Sequence, residues 1–527
     1  MTHLTFCGAA GTVTGSCSHL VMDQTDFVID CGLFQGNSTV RDLNNQPFPF
    51  DAKRVDFMIL THAHIDHSGL IPKLTRAGFE GPIYATPATA DLLEFMLRDS
   101  ATIQESNAER ANRKRRRRDR EMIEPIYTVA DAEQALKQLR PIDYETWADP
   151  APNVRFRLWN AGHILGSASA ELKLDPADSD NALRLLFSGD LGPDEKTFHP
   201  EPDAPEGFDY IVCESTYGDR DRADYTLEKR RTALREELLR GLARGGNVVI
   251  PSFAVERSQE LLHDIGVLLT RREIPDATVY LDSPLARKVT EVFAQYAHTL
   301  EDVEVNADEL FRHERFRLVE SVEESKAIGE VHGGAIIISA SGMCDAGRIK
   351  HHLRNNIWRP EATVLFVGYQ APGTLGHVIS SGKSDVRIHG KEFKVQADIR
   401  RIGNYSAHAD QVELADWIME RSPVVGGLFL NHGDDEARAT LRTVLTDRGL
   451  DPDRILLPSF DESFELVAGT AQSKGRVAQR IDDDALRRDW YNDYAALILR
   501  LADRLEATPD GGERRRLIAR LQEVLAD

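Results

Sequence analysis

The run His62-Ala63-His64-Ile65-Asp66-His67 packs three imidazoles and a carboxylate directly behind the mostly apolar segment Val55 to Leu60. No other pattern in the chain constrains the fold as strongly. A short apolar segment bounded by polar residues reads as a buried strand. A loop leaving such a strand can aim alternate side chains into one cavity while the strand holds the backbone still. Imidazole and carboxylate are good zinc ligands. Without a cation the same groups would crowd polar and charged atoms together for no return. Four candidate ligands are too many for one ion that must also hold water. The pattern therefore points to two metals, a recurrent device for hydrolysing phosphate esters.

Further ligands must come from other strand ends. Asp30 ends Phe27-Val28-Ile29-Asp30, His163 lies in Ala161-Gly162-His163-Ile164, and Asp190 ends Leu185-Leu186-Phe187-Ser188-Gly189-Asp190. Each follows a β-rich apolar stretch or sits beside glycine, which permits close backbone approach. Ser-Gly-Asp alone more often marks a turn. What carries weight is the order Asp30, histidine cluster, His163, Asp190.

This order resembles the signature of the metallo-β-lactamase superfamily: Asp, then His-x-His-x-Asp-His, then His, then Asp. The opening Phe6-Cys7-Gly8-Ala9-Ala10-Gly11-Thr12-Val13-Thr14-Gly15-Ser16 is similar to the first hairpin of that fold. The resemblance implies that His62, His64 and His163 hold one metal, that Asp66 and His67 hold the other, and that Asp190 bridges them. For Asp30 it implies a place outside the coordination sphere, orienting ligands through hydrogen bonds.

The superfamily hosts many reactions, so fold does not choose the substrate. Cys213-Glu214-Ser215-Thr216-Tyr217-Gly218 follows the strand-like Tyr210-Ile211-Val212. About two hundred residues later come Tyr405-Ser406-Ala407-His408-Ala409-Asp410 and Leu430-Asn431-His432-Gly433, a separation that calls for an inserted domain rather than a loop. The arrangement resembles the β-CASP branch, a nucleic-acid-processing group that includes the pre-mRNA cleavage-and-polyadenylation endonuclease and bacterial relatives. In that branch Glu214, His408 and His432 match the three motifs of the insertion. His432 would complete the second metal's coordination. His408 would stand near the scissile phosphate as general acid, with Glu214 orienting it and raising its proton affinity. RNA-processing members carry histidine at the position of His432, whereas DNA-repair members have an apolar residue. The resemblance covers residues 1 to about 460.

The expected activity is a metal-dependent ribonuclease. Water activated between two Zn2+ ions, held in part by Asp66, would attack the phosphorus, and His408 would protonate the departing oxygen. Manganese is an alternative metal. Single-stranded RNA is the expected partner. Internal and end-directed cleavage both stay open, with the endonuclease favoured. Ser339, Ser341, Arg257, Arg287 and Arg348 are candidates for holding RNA phosphates, because the family uses that face of the insert. A different hydrolase of this fold, acting on a small ester or phosphodiester, and a non-catalytic RNA-binding scaffold are the competing readings.

A net charge of −21 argues against a polyanionic partner taken as a whole. Binding needs only a locally positive cleft, and metal sites consume several acidic groups. One strongly basic stretch runs from Arg110 to Arg120, following the helical pattern of Ala90 to Met96. Solvated surface and RNA-backbone contact are equally good readings of it. No segment approaches twenty apolar residues and no signal peptide is evident, so no membrane association and a cytoplasmic location are expected. Five scattered cysteines without a CxxC pair suit a reducing compartment.

Length and a 41% hydrophobic content suit several sizeable cores. The β-rich runs Val248 to Pro251, Val279 to Leu281, Ala335 to Ser339 and Thr363 to Gly368 alternate with amphipathic stretches, which predicts a parallel sheet flanked by helices in the insert. The expected fold is α/β: a metallo-β-lactamase αββα sandwich, an inserted β-CASP α/β domain and a helical C-terminal tail. The boundaries read as 1–208 for the first part of the sandwich, 209–395 for the insert, 396–460 for the return segment and 461–527 for linker and tail. In the tail, Trp490 to Leu505 and Leu517 to Leu525 recur at helical spacing on either side of Pro509 to Gly512, a helical hairpin. It would pack on the chain's own body or form a homodimer.

Overall fold

The computed structural model of the protein describes residues 1–36, 38–116, 121–177, 182–222, 226–301, 303, 311–368, 370, 373–403, 405–481, 508 and 510–524. Two sheets face each other in an αββα sandwich. The first has eight strands, in the spatial order Thr470–Arg476, Glu462–Val467, Thr2–Phe6, Ser18–Met22, Thr25–Ile29, Phe57–Ile59, Ile83–Ala85 and Leu139–Pro141. The second has seven, in the order Ile455–Leu456, Val424–Leu430, Phe208–Cys213, Leu183–Phe187, Ala168–Leu174, Val154–Asn160 and Ala148–Ala151. Aromatic residues join the inner faces: Phe429 of the second sheet lies 5.1 Å from Phe6 and 5.0 Å from Phe464 of the first, centroid to centroid.

Helices cover both outer faces. Leu74 of Ile71–Arg76, Leu92 and Leu93 of Pro87–Arg116, and Ala132 and Ala135 of Val129–Leu136 bury their apolar sides in the core of the first sheet. Leu414, Trp417 and Ile418 of Gln411–Glu420 and Leu441 and Leu445 of Asp435–Asp447 bury theirs with Ile211 and Leu428 of the second. Helix starts are set by side chains that satisfy otherwise unpaired amides. Asp410 accepts from the amides of Val412 and Glu413, and Asp434 accepts from Ala437.

The insert has its own six-stranded sheet, ordered Phe316–Leu318, Thr278–Leu281, Ala335–Ser339, Val248–Pro251, Thr363–Phe366 and Asp398–Arg401, with every pairing parallel. Ala335–Ser339 is buried along its whole length, as a parallel strand covered on both faces must be. The alternation read from the sequence therefore carries through. Sheet membership shifts the edges of the insert: Phe208–Cys213 pairs inside the sandwich, and Asp398–Arg401 pairs inside the insert, so the crossings fall after 213 and after 401 rather than at 209 and 395.

The segment read as a linker also needs correction. Thr470–Arg476 pairs antiparallel with Glu462–Val467 and forms the edge of the first sheet. Its side chains are mostly exposed, so it carries no apolar alternation that would mark it as a strand. Of the tail, Gly511–Val524 is helical; the first half of the expected hairpin, Trp490 to Leu505, lies outside the described residues. Among the described residues no helix is long and apolar enough to cross a membrane.

Insert and sandwich meet through buried polar contacts. Arg230 of Leu227–Ala243 holds Asp264 at 2.9 Å and Glu260 at 2.9 Å, and the Tyr405 hydroxyl donates to Asp264 at 2.7 Å. Buried charges persist only when paired and hydrogen-bonded, so this cluster fixes how the return segment containing Tyr405 and His408 sits against the insert.

Candidate metal centre

The strand Phe57–Ile59 delivers the histidine cluster to the open edge between the two sheets. Beyond Leu60 the chain passes through His62 and His64 and turns into a single helical turn, Ile65–Ser68. Asp66 and His67 lie in that turn, on a different side from His62 and His64, so one short segment supplies two separate sets of donors.

Three donor groups converge: His62, His64, His163 and Asp190; Asp66, His67 and His432; and Asp190, Glu214 and His408. Within each, the ligand atoms lie inside 4.8 Å of one another, and the first two could each hold an ion. His64 Nδ1 is 3.2 Å from His62 Nε2 and 3.1 Å from His163 Nε2, while His67 Nε2 is 3.1 Å from His432 Nε2. Asp190 stands between the groups, with Oδ2 3.6 Å from His62 and from His163 and Oδ1 3.2 Å from His67 and 3.5 Å from His432. Its Oδ1 is buried without a hydrogen-bond partner among the described residues. Such an orphaned carboxylate oxygen is costly unless a cation meets it, so the donor set fits a pair of divalent ions.

The outer nitrogen of four of the imidazoles is engaged. His163 Nδ1 donates to the Ala407 carbonyl at 2.9 Å, and His67 Nδ1 donates to Asp30 Oδ2 at 2.7 Å. His62 Nδ1 is 3.1 Å from Thr61 Oγ1, whose hydroxyl donates to Asp30, and His432 Nδ1 is 3.1 Å from Thr216 Oγ1, whose hydroxyl donates to the His432 carbonyl. Each contact selects the tautomer whose lone pair points into the cage. Asp30 organises much of this: it also accepts from the Thr61 amide at 2.9 Å. Its backbone takes φ +60°, a conformation aspartate tolerates better than most residues. Thr61 and Thr216 are the contributors that sequence reasoning missed; their only signal is adjacency to the motifs.

Electrostatics agree with this division. Burial pushes His62 and His163 well below the ordinary imidazole value, and takes His64 down to about 4. All three are then neutral and free to coordinate. His67 goes the other way: burial opposes its charge, but Asp190 and Asp30 hold it well above its usual value. The two carboxylates demand positive charge at that spot, which a cation supplies equally well.

His408 lies at the margin of the cage. Its ring centroid is 4.5 Å from that of His163, and its Nδ1 is 3.1 Å and 3.2 Å from the two Glu214 oxygens. Burial works against its charge, but Glu214 outweighs that and lifts it to about 9. Glu214 is pinned in turn by the Leu191 amide at 2.7 Å and the Thr216 amide at 3.2 Å. His408 and Asp66 each keep 21% of the side chain exposed and so face the cleft.

The candidate RNA contacts are less uniform. Ser339 is fully buried and donates to the Asp282 carbonyl; Arg348 pairs with Asp282 at 2.7 Å; Arg287 pairs with Glu291 and Glu320. Arg257 stacks over Phe253 at 5.3 Å, and Ser341 accepts from the Ala346 amide. All of these belong to the insert, on or just beyond its strands and helix starts.

Three family models match in succession: the metallo-beta-lactamase superfamily over residues 11–217, the Beta-Casp domain over 258–379, and the Zn-dependent metallo-hydrolase RNA specificity domain over 392–457. The chain belongs to the β-CASP branch of the metallo-β-lactamase superfamily. It is 38% identical to a ribonuclease of Thermus thermophilus over 448 residues, 84% of this chain and 95% of that one. It is 29% identical to transcription termination factor FttA of Methanosarcina mazei, covering 82% of this chain and 67% of the relative. The FttA of Methanocaldococcus jannaschii is 30% identical, with the same two coverages. This β-CASP protein is accordingly a two-metal hydrolase of the nuclease type.

Proposed function

We propose that this β-CASP chain is a zinc-dependent ribonuclease that cuts single-stranded RNA internally. The observation that carries the reading is the placement of the Glu214–His408 pair, 3.1 Å apart, against a two-metal cage that His432 completes. A charged imidazole beside the cage suits a sugar-oxygen leaving group, which must gain a proton as it departs. The ribonuclease name of the Thermus thermophilus relative and the RNA specificity domain over 392–457 support the same substrate.

Two bound divalent ions would lower the pKa of a water molecule to roughly 7 and neutralise charge on the phosphate. His62, His64 and His163 would hold one ion, Asp66, His67 and His432 the other, with Asp190 shared. The nitrogen-rich donor set favours zinc over manganese. Asp66, facing the cleft, would also accept a hydrogen bond from the attacking water. His408, charged through Glu214, would pass its proton to the departing sugar oxygen. Asp30 and Thr61 hold His67 and His62 in the coordinating tautomer. Of the candidate phosphate contacts, Arg257 and Ser341 rank ahead of Ser339, Arg287 and Arg348, which the insert's own carboxylates and carbonyls occupy.

Five free, buried cysteines support a cytoplasmic site of action. A homodimer through the C-terminal helix Gly511–Val524 is the assembly to test by light scattering. The deciding experiment is incubation with single-stranded RNAs labelled separately at each end. Internal products from both labels, lost with chelator and with His408→Ala, are expected. Mononucleotides released from one end would reassign the mode of cleavage, and turnover of small esters with unchanged rate in His408→Ala would overturn the reading.

A further inference from the structure

Glu256 stands outside every role assigned above. It precedes the helix Arg257–Thr270 in the insert, with φ +68° and ψ −69°, and the Arg257 amide donates to the Val255 carbonyl at 2.9 Å. This is a γ-turn of the positive-φ kind, rare and strained. Glycine would adopt it freely, so a glutamate held there indicates that its carboxylate is needed in place.

That carboxylate is buried and fully used. Oε2 accepts from the Leu165 amide at 3.2 Å, Oε1 accepts from His199 Nε2 at 2.8 Å, and Lys196 Nζ lies 3.7 Å from Oε1. Lys196, also buried, donates to the carbonyl of His163. The loop His163-Ile164-Leu165 is thus gripped at three points: its first carbonyl by Lys196, its last amide by Glu256, and the His163 ring by the Ala407 carbonyl. All three come from, or pair with, the inserted domain or the segment returning from it.

We infer that Glu256 is a positioning residue through which the insert holds the His163 loop, so that the metal position of His62, His64 and His163 is shaped from the substrate-binding domain. The inference rests on the reading of His163 as a ligand. A purely structural role, in which the network only joins two domains, would alter thermal stability and leave metal affinity alone. Partners that orient ligands typically change metal affinity or activity 10- to 100-fold when lost.

The test uses the full chain and zinc alone as probe, with both zinc equivalents titrated against a chromogenic chelator and cleavage kinetics measured in parallel. Glu256→Gln is expected to weaken one zinc equivalent about 10- to 100-fold, leave the other unchanged, and lower kcat with KM within about twofold. Glu256→Gly, which relieves the backbone strain and so protects folding, is expected to show the same zinc loss, as is Lys196→Met. Native affinity for both equivalents in the two Glu256 variants, whatever their Tm, would overturn the inference. His163→Ala separates the two failures: its loss of one equivalent beside unaffected Glu256 variants sinks the inference alone, while its retention of both sinks the ligand reading with it.

Discussion

His408 illustrates how a single residue acquires its chemistry from neighbours. An isolated imidazole is half-protonated near pH 6.5; burial alone would lower that, but the Glu214 carboxylate lifts it to about 9. The charged, proton-donating form then prevails below that value and is lost above it. Cleavage should accordingly show an alkaline limb as pH rises toward 9, and Glu214→Gln should move that limb toward neutrality in a kcat–pH profile. Replacing His408 by Ala should lower kcat by roughly 10²- to 10⁴-fold without loss of zinc. Asp30 makes a second case at this scale. Asp30→Asn suits the φ of +60° but weakens the grip on His67 and Thr61, and a 10- to 100-fold drop in zinc affinity by chelator competition is expected. The donor side chains that converge here were legible in the sequence because imidazoles at strand ends have few other uses. Their orienting partners Thr61 and Thr216 were not, since a threonine beside a motif looks like any other threonine.

At the level of elements, the helix Gln411–Glu420 shows how local caps serve the site. Asp410 caps its first turn, two residues beyond His408. Removing the cap with Asp410→Ala should cost about 1 kcal/mol of stability, seen as a lower denaturation midpoint. Arg222 ties the cap to the site, its amide donating to Asp410 and its guanidinium to the His408 carbonyl, so kcat should fall more than Tm predicts. The parallel strands of the insert were readable as continuous apolar runs. Thr470–Arg476 was not, because an edge strand with exposed side chains resembles a linker: its place is set by backbone pairing with Glu462–Val467, and backbone hydrogen bonds leave no mark on side-chain composition. At the basic helix end, Arg110, Arg113 and Arg116 are exposed.

For the whole molecule, both sheets and the return segment must be docked for the donors to meet: His62, His64, Asp66 and His67 follow a strand of the first sheet, and His163, Asp190 and His432 follow strands of the second. Phe429 lies at the junction of the inner faces, against Phe6 and Phe464. Phe429→Ala should destabilise by about 3–5 kcal/mol, measured by urea unfolding. Chelation should abolish cleavage and lower Tm, and zinc should restore both, since ions that bind only the folded state stabilise it by mass action. RNA affinity should fall steeply with salt despite the net charge of −21, because binding depends on local phosphate contacts and the counterions they release.

The sequence by itself determined the inventory of donor side chains, the branch of the superfamily and the alternation of the insert, since each is written in residue type and spacing along the chain. The hydroxyl contacts by which Thr61 and Thr216 orient two of the imidazoles, and the grip of Glu256 on the His163 loop, were decided only by the tertiary structure. Such contacts depend on how separate strand ends and turns are packed against one another, and no local periodicity records a distance across the fold.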